Sequence, residues 1–276
     1  MEEITAEYEV QALAEAPKLE VDCLVEVACK TDLGRVRENN EDKFEFFIPT
    51  DEAMLAAKGQ IFVVCDGMGG HAAGQIASEI AAKTFIDVYA NHPSENITAA
   101  LVSAITAANR YVLDVSLAVP SRRGMGTTLS ALILLQGTAH IAHVGDSRVY
   151  RLRDGQLDRL TDDHTWVDEA IKRGEIPPEA AATHPYKHVI TRAIGTEDSV
   201  IPDVFKSEAH EGDIYLLCSD GLTNHVPDDW MAQVLREFGP GEATWRLIGK
   251  ALMEGGSDNC TVLIVRVAKL QRRPEN

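Results

Sequence analysis

Short apolar runs separated by polar turns recur along most of the chain. Runs of this kind, rich in Val, Ile, Leu and Phe, are typical of β-strands. Gly137 and the pair Asp154 and Gly155 stand between neighbouring runs, where glycine permits a tight turn. The pattern therefore predicts many strands, several of them joined as hairpins. The predicted strands cover residues 24–28, 44–48, 61–65, 127–135, 140–143, 149–152, 189–194, 204–207, 214–218 and 260–267.

Four other segments carry apolar residues at helical spacing. In 73–85 and in 101–115 an apolar residue recurs at every third or fourth position, which is the spacing of one helix face. Residues 229–238 and 242–253 repeat this pattern near the C-terminus. The resulting order is strands, two long helices, many strands, two helices and a last strand. This order favours an antiparallel α+β domain built in layers over alternating parallel units.

The composition is that of one globular domain with short tails. The 276 residues include 45% hydrophobic and 25% charged side chains, which is ordinary for a soluble protein. Residues 1–22 are acidic and weakly patterned, so we expect an N-terminal tail there. We expect a catalytic domain over 23–269, containing a polar stretch at 161–187, and a C-terminal tail over 270–276.

The acidic balance restricts the partners of the chain. A formal net charge of −17 and the absence of a basic stripe argue against a nucleic-acid partner. The same charge does not exclude a phosphate substrate, because divalent cations bound by clustered carboxylates reverse the local field. The net charge therefore bears more on solubility than on the choice of substrate.

Cysteine usage and the ends of the chain bear on localisation. The five cysteines are an odd number without CxxC spacing and lie mostly in apolar runs, which indicates free thiols in a reducing compartment. The N-terminus lacks the basic and apolar regions of a signal peptide, and no apolar run has the length of a membrane span. We expect a cytoplasmic protein without membrane attachment.

Four aspartates stand where strand-like runs meet polar turns: Asp66, Asp146, Asp220 and Asp258. One such residue means little, because aspartate is a common turn residue. Four indicate a site, since carboxylates collected from separate strand ends can hold a hard cation. Glycine follows Asp66 and Asp220, so a backbone carbonyl can approach beside each carboxylate. Oxygen ligands of this type favour magnesium or manganese over zinc.

Asp154 is an internal comparison for these four residues. It also lies between two apolar runs and is also followed by glycine, Gly155. The two runs are short and adjacent, however, so the pair predicts a hairpin turn and no chemistry.

Six further motifs occur in order along the chain, at 31–42, 64–74, 124–132, 143–152, 216–226 and 255–265. Together they resemble the motifs of the PP2C type of metal-dependent protein phosphatases, bacterial branch. Any single motif is weak, but six in this order are highly specific, and the resemblance spans about residues 24–268. It implies a four-layer α-β-β-α sandwich of two antiparallel sheets flanked by helices, with metals in a cleft at one end. It also makes 161–187 the flap beside that cleft, a reasonable place for substrate selection.

The resemblance implies a role for each acidic residue. Asp66 would bridge two metals and the Gly67 carbonyl would bind one of them, while Asp220 and Asp258 would hold the other. Asp42, with Glu41 beside it, would reach the site directly or through metal-bound water. Asp146 would bind a third, weaker metal that Asp220 shares. Two or three Mn²⁺ or Mg²⁺ ions would then acidify a bridging water, which attacks phosphorus in line without a covalent phosphoenzyme.

Arg37 and a histidine complete the predicted catalytic set of Arg37, Asp66 and His71. The planar guanidinium of Arg37 can pair two phosphate oxygens at once, which makes it the candidate phosphate clamp. Animal relatives carry a histidine after the Asp-Gly pair to protonate the leaving group, whereas this chain has Met68. The general acid is then either His71 or a metal-bound water. His143 faces the same strand end as Asp146, while His164, His184 and His188 fall in the polar stretch. No role is assigned to them, because exposed loop histidines are usually solvated.

These observations predict a serine/threonine protein phosphatase acting on phosphorylated proteins. The resemblance implies a cognate Ser/Thr kinase as the opposing activity, and we expect a monomer. One alternative is a catalytically weak phosphatase-like binding or sensor module; complete retention of the carboxylates argues against it. Another is a metal nuclease, which the acidic balance disfavours.

Overall fold

The secondary structure consists mainly of antiparallel strands. The computed structural model describes residues 17–69 and 72–273, apart from the side chains of residues 182 and 183. The strands within these residues are β1 (Val21–Asp32), β2 (Asp42–Phe47), β3 (Gln60–Met68), β4 (Gly126–Thr127), β5 (Leu129–Leu135), β6 (Thr138–Val144), β7 (Arg148–Arg153), β8 (Gln156–Arg159), β9 (Asp203–Glu208), β10 (Ile214–Cys218) and β11 (Cys260–Arg272).

The strands form two sheets. One has the order β1-β11-β10-β7-β8, and the other has the order β2-β3-β5-β6-β9, with β4 paired to the end of β3. Helices cover the outer faces of both sheets. The α-helices of the described part are α1 (Glu52–Lys58), α2 (Ala73–Ala90), α3 (Ile97–Ala118), α4 (Trp166–Lys172), α5 (Asp220–Thr223), α6 (Asp228–Glu237) and α7 (Pro240–Met253).

Strand β3 shows how the layers are held together. Ile61, Val63 and Cys65 pack with the buried residues of α2 and α3. Phe62 and Val64 point the other way and pack between the two sheets. Both faces of the strand are buried, which explains why the sequence reads as a continuous apolar run instead of an alternating one. A third core joins the first sheet to α6 and α7. The predicted four-layer α-β-β-α fold is confirmed.

Small residues bring the two long helices close together. Ala100, Ala104 and Ala108 lie on one face of α3 and are fully buried with the alanines of α2. The helix begins where the Asn96 side chain accepts a hydrogen bond from Ala99 N, the usual device for satisfying a free N–H of the first turn. Both predicted helices in this region are confirmed.

The predicted hairpin turn at Asp154 is also confirmed. Asp154 and Gly155 have positive φ angles of 51° and 81° and join β7 to β8. This is the backbone of a type I′ turn, which matches the twist of the strands it joins. Asp154 accordingly lies away from the other strand-end aspartates.

The predicted strand at 189–194 is wrong. Only isolated bridges are found there, between Thr165 and Ile190 and between Thr127 and Ile194. Ala193 and Ile194 are buried under α3, and Ile194 exchanges two backbone hydrogen bonds with Thr127. A loop pressed into the core carries the same apolar pattern as a strand, which explains the error.

The folded domain extends past the predicted limits of 23 and 269. Val21 pairs with Arg272 at one end of β1 and β11, and Asp32 pairs with Cys260 at the other end. Leu19 is buried, so part of the predicted tail packs on the domain. Residues 1–16 of that tail lie outside the described residues. No described helix is both long enough and apolar enough to cross a membrane.

Candidate active site

The predicted site residues meet around a cavity of about 860 Å³. Asp42 and Asp66 occupy paired positions on β2 and β3, and Asp146 follows the end of β6. Asp220 follows β10 and Asp258 precedes β11, its antiparallel neighbour. Antiparallel pairing therefore collects strand ends that are far apart in sequence. The predicted residues that line the cavity are Arg37, Asp66, Gly67, Asp146, Asp220 and Asp258.

Asp42 lies behind the cavity and is buried. Ser219 Oγ donates a hydrogen bond of 2.7 Å to its Oδ2, and Oδ1 has no hydrogen-bond partner within the described part of the chain. Burial, together with the charges of Asp220 and Asp258, raises the pKa of Asp42 to about 7. A buried carboxylate oxygen without a donor is a suitable ligand, or support for a ligand, of a cation.

Asp66 and Asp220 are electrostatically connected at the cavity. Burial raises the pKa of Asp66 well above its usual range, and the charges of Asp42, Asp220 and other aspartates raise it as well. Burial and the charge of Asp258 raise the pKa of Asp220, while a hydrogen bond from Asn224 opposes this shift. Both carboxyl groups therefore hold a proton more tightly than a free aspartate does, and a divalent cation can replace such protons.

Asp146 stands on a tight turn after Gly145, whose φ of 110° is unfavourable for other residues. Burial, together with the charges of Asp220 and Asp163, raises the pKa of Asp146 to about 8. Asp146 therefore belongs to the same electrostatic cluster as Asp66 and Asp220. Asp146 and Asp220 also border a second cavity of about 420 Å³ that continues beneath α4.

Gly67 allows its strand to approach neighbouring backbone closely. Its N–H donates to the Glu41 carbonyl at 3.1 Å, and a Cβ at this position would lie 2.1 Å from the Gly74 carbonyl oxygen. A side chain here would displace the start of α2. The position therefore requires glycine, which is consistent with a backbone ligand beside Asp66.

Arg37 reaches the cavity and forms an ion pair there. Its Nη2 donates to Asp258 Oδ2 at 2.6 Å, with the guanidinium half exposed. Asp258 raises the pKa of Arg37, so the side chain stays charged. The structure thus joins the predicted clamp to a predicted ligand, and the remaining guanidinium N–H groups are available for a phosphate.

The donor set fits a hard divalent cation in chemistry. All the acidic groups are oxygen donors, and their charges perturb one another's pKa. Within the described residues, no three His, Cys, Asp or Glu side chains are grouped closely enough to hold a metal as they stand. Mutually repelling carboxylates separate when no cation lies between them, so small side-chain rotations would have to accompany binding.

The general acid is the least defined part of the site. Met68 lines the cavity, at the position where animal relatives carry histidine. The predicted alternative, His71, lies outside the described residues. Its assignment stays a prediction.

Comparison with known proteins identifies the family. The profile of the family described as Protein phosphatase 2C matches residues 35–246. The chain belongs to the protein phosphatase 2C family. The predicted family is therefore confirmed, and the shared fold accounts for the position of the cleft.

Named relatives of this family are similar over most of the chain. Serine/threonine protein phosphatase PstP of Mycobacterium tuberculosis is 37% identical over 247 residues, 90% of this chain, and the chain spans 46% of the length of PstP. Serine/threonine phosphatase stp of Listeria innocua is 40% identical over 248 residues, covering 88% of this chain and 96% of stp. The crystal structure of the PstP catalytic domain in complex with two manganese ions superposes with a TM-score of 0.76 at 36% identity, covering 89% of this chain and 99% of that one.

The sequence did not indicate the positions of two histidines of this phosphatase 2C domain. The expectation that His164 is a solvated loop residue is wrong, because its side chain is fully buried beside the Gly145 turn. His188 is exposed but lines the cavity near Asp220, whose pKa its charge lowers. The polar stretch gives no periodic signal that separates these histidines from solvated ones.

Proposed function

We propose that this chain is a metal-dependent protein phosphatase that hydrolyses phosphoserine and phosphothreonine in proteins. The observation that carries the proposal is the group of mutually repelling carboxylates in a member of the phosphatase 2C family, with Asp42 and Asp146 buried and Asp66 and Asp220 half-buried. Several carboxylates held close together and away from water lower the stability of the folded state unless cations bind to them. Placing it at a cavity with Arg37 directs those cations toward a phosphate.

The metal we propose is Mn²⁺ or Mg²⁺, with two or three ions per chain. Oxygen donors favour these hard ions, and the similar PstP catalytic domain was solved with two manganese ions. When bound, such ions acidify water for attack on phosphorus and offset the charge that develops. The residues that would hold them are Asp42, Asp66, Gly67, Asp146, Asp220 and Asp258.

Arg37 binds and orients the phosphate, and the other residues support the site. Arg37 keeps its positive charge at the cavity and is turned toward it by Asp258. Burial of Asp42 behind the cavity, with Ser219 donating to it, holds the strand end of β2 in place. Asp66 and Asp220, whose pKa values are raised, would release protons as cations bind.

The cellular setting remains a set of predictions. We propose phosphorylated proteins as substrates and a Ser/Thr kinase as the opposing enzyme. A cytoplasmic location, a monomeric state and selection of substrates by the segment 161–187 are part of the same proposal.

The test is release of phosphate from defined peptides. With Mn²⁺ present, phosphoserine and phosphothreonine peptides should be hydrolysed at least about tenfold faster than phosphotyrosine peptides, and DNA should stay intact. Peptide binding with no release of phosphate would favour the alternative of a binding or sensor module. DNA cleavage would favour the nuclease.

Replacing Arg37 with alanine should lower kcat/KM roughly 10- to 100-fold, because one or two charge-assisted hydrogen bonds to phosphate are lost. Arg37→Lys should give an intermediate value, since lysine keeps the charge without the planar pair of donors. The measurement is steady-state kinetics on a phosphothreonine peptide.

Arg35→Ala is the matched control for this variant. Arg35 lies on the same segment and is exposed, but it does not line the cavity. Equal losses in Arg35→Ala and Arg37→Ala would show that the segment's charge matters and that Arg37 is no specific clamp.

A further inference from the structure

His164 forms two hydrogen bonds with the turn that carries Asp146, one through its ring and one through its backbone. The backbone N–H of Gly145 donates to His164 Nδ1 at 3.1 Å, and the His164 N–H donates to the Gly145 carbonyl at 2.8 Å. Both polar groups of the residue before Asp146 are thus bound by one histidine. The backbone directly before Asp146 is therefore tied to His164.

The other ring nitrogen connects His164 to a charged pair. Since Nδ1 accepts from Gly145, the ring carries its proton on Nε2. Nε2 lies 3.1 Å from Asp203 Oδ2, and Arg192 Nη1 donates to the other oxygen of Asp203 at 2.9 Å. Asp203 therefore fixes both the tautomer and the orientation of the ring. Carboxylates play the same part when they accept a hydrogen bond from a metal-ligating histidine.

A chain of buried side chains continues from this turn to Asp66. Ser147 Oγ lies 2.7 Å from Thr128 Oγ1, and Thr128 Oγ1 accepts from the Asp66 N–H at 2.8 Å. The Thr128 N–H donates in turn to the Asp66 carbonyl at 2.9 Å. The turns of Asp66 and Asp146 are thus parts of one hydrogen-bonded unit, to which His164 ties the start of the segment 161–187.

We propose that His164 is a positioning residue that sets Asp146 for metal binding through the hydrogen bond between its ring and Gly145. This inference rests on the proposed metal-dependent function and adds a residue to it. His164 lines neither of the two cavities that Asp146 borders. It acts by holding the backbone next to a ligand.

Two conservative variants separate the two ring contacts. Asparagine places an acceptor near the position of Nδ1 and keeps the Gly145 bond, whereas glutamine reaches only the Nε2 position and keeps the Asp203 bond. His164→Gln should weaken the Mn²⁺ site that contains Asp146 about tenfold or more, and His164→Asn should stay within about threefold of wild type. Calorimetric titration with Mn²⁺ measures this without reference to turnover.

Controls distinguish positioning from general damage to the fold. His140→Asn changes a different buried histidine, which lies on β6. This variant should leave Mn²⁺ binding unchanged. In an Asp146→Asn background, His164→Gln should cause no further loss, because its effect passes through Asp146. Equal weakening by both His164 variants, or a full effect of His164→Gln without Asp146, would overturn the inference. Inactivity of the wild type on phosphopeptides with this binding pattern intact would instead refute the proposed function alone.

Discussion

Removing divalent metal should reduce hydrolysis of a phosphoserine peptide to the uncatalysed rate, and adding Mn²⁺ or Mg²⁺ should restore it. The cavity presents clustered carboxylates, which repel a phosphate dianion until cations reverse the local field. The measurement is phosphate release after chelation, followed by titration with each metal. Full activity in excess chelator would contradict the proposed mechanism.

Metal removal should also change stability in a pH-dependent way. The folded-state pKa values of Asp42 and Asp146, about 7 and about 8, lie above their unfolded values, so the folded chain binds more protons. The unfolding free energy of the metal-free protein should therefore fall as pH rises from about 4 to about 8. Stabilisation by Mn²⁺ should grow over the same window, because the metal binds the deprotonated carboxylates.

Urea unfolding at pH 5 and pH 8, with and without Mn²⁺, tests this behaviour. The two metal-free curves should differ, with the lower midpoint at pH 8, and Mn²⁺ should close most of that gap. If the urea midpoint of the metal-free protein rose with pH, the pKa values of these carboxylates would not be raised in the folded state.

Replacing Asp66 with asparagine should lower kcat by about a thousandfold or more while the fold is kept. Asp66 is central to the cluster, since the charges of four other aspartates act on it. Loss of several kcal/mol of transition-state stabilisation corresponds to that factor. The backbone of Asp66 is held by Thr128, so the turn should survive the substitution. Peptide kinetics at saturating Mn²⁺ gives the measurement.

Asp154→Asn is the matched control for Asp66→Asn. It makes the same chemical change at an aspartate that also ends a strand, and asparagine tolerates the φ of 51° at this turn. Its activity should match wild type. In metal-free buffer, Asp66→Asn should unfold at a urea concentration no lower than wild type, because a repelling charge is removed. An Asp66→Asn enzyme with a tenth of normal activity would exclude a central ligand role.

The strand pattern predicted the fold well because the inner strands β3, β5, β6 and β10 are buried on both faces. Short apolar runs such as 61–65 and 214–218 are buried throughout, as expected for strands that lie between two apolar layers. The site was predictable for a related reason. Carboxylates at strand ends conflict with the apolar pattern beside them, and the structure brings Asp66 and Asp220 together.

What could not be predicted depends on contacts between distant segments. The loop at 189–194 is apolar because it is buried, although it forms no strand. His164 looks like an ordinary polar residue until Gly145 and Asp203 are seen around it. The ion pair between Arg37 and Asp258 joins residues from opposite ends of the chain, which no local pattern can indicate.

The pairing of β1 with β11 has a practical consequence. Asp32 and Cys260 meet at the cleft, whereas Val21 and Arg272 meet at the far end of the same two strands, about 35 Å away at the rise of an extended chain. The chain therefore enters β1 and leaves β11 at one shared corner, on the side away from the cavity. A purification tag or fluorescent reporter joined after Arg272 would start from that corner, with the entrance to the cavity left clear.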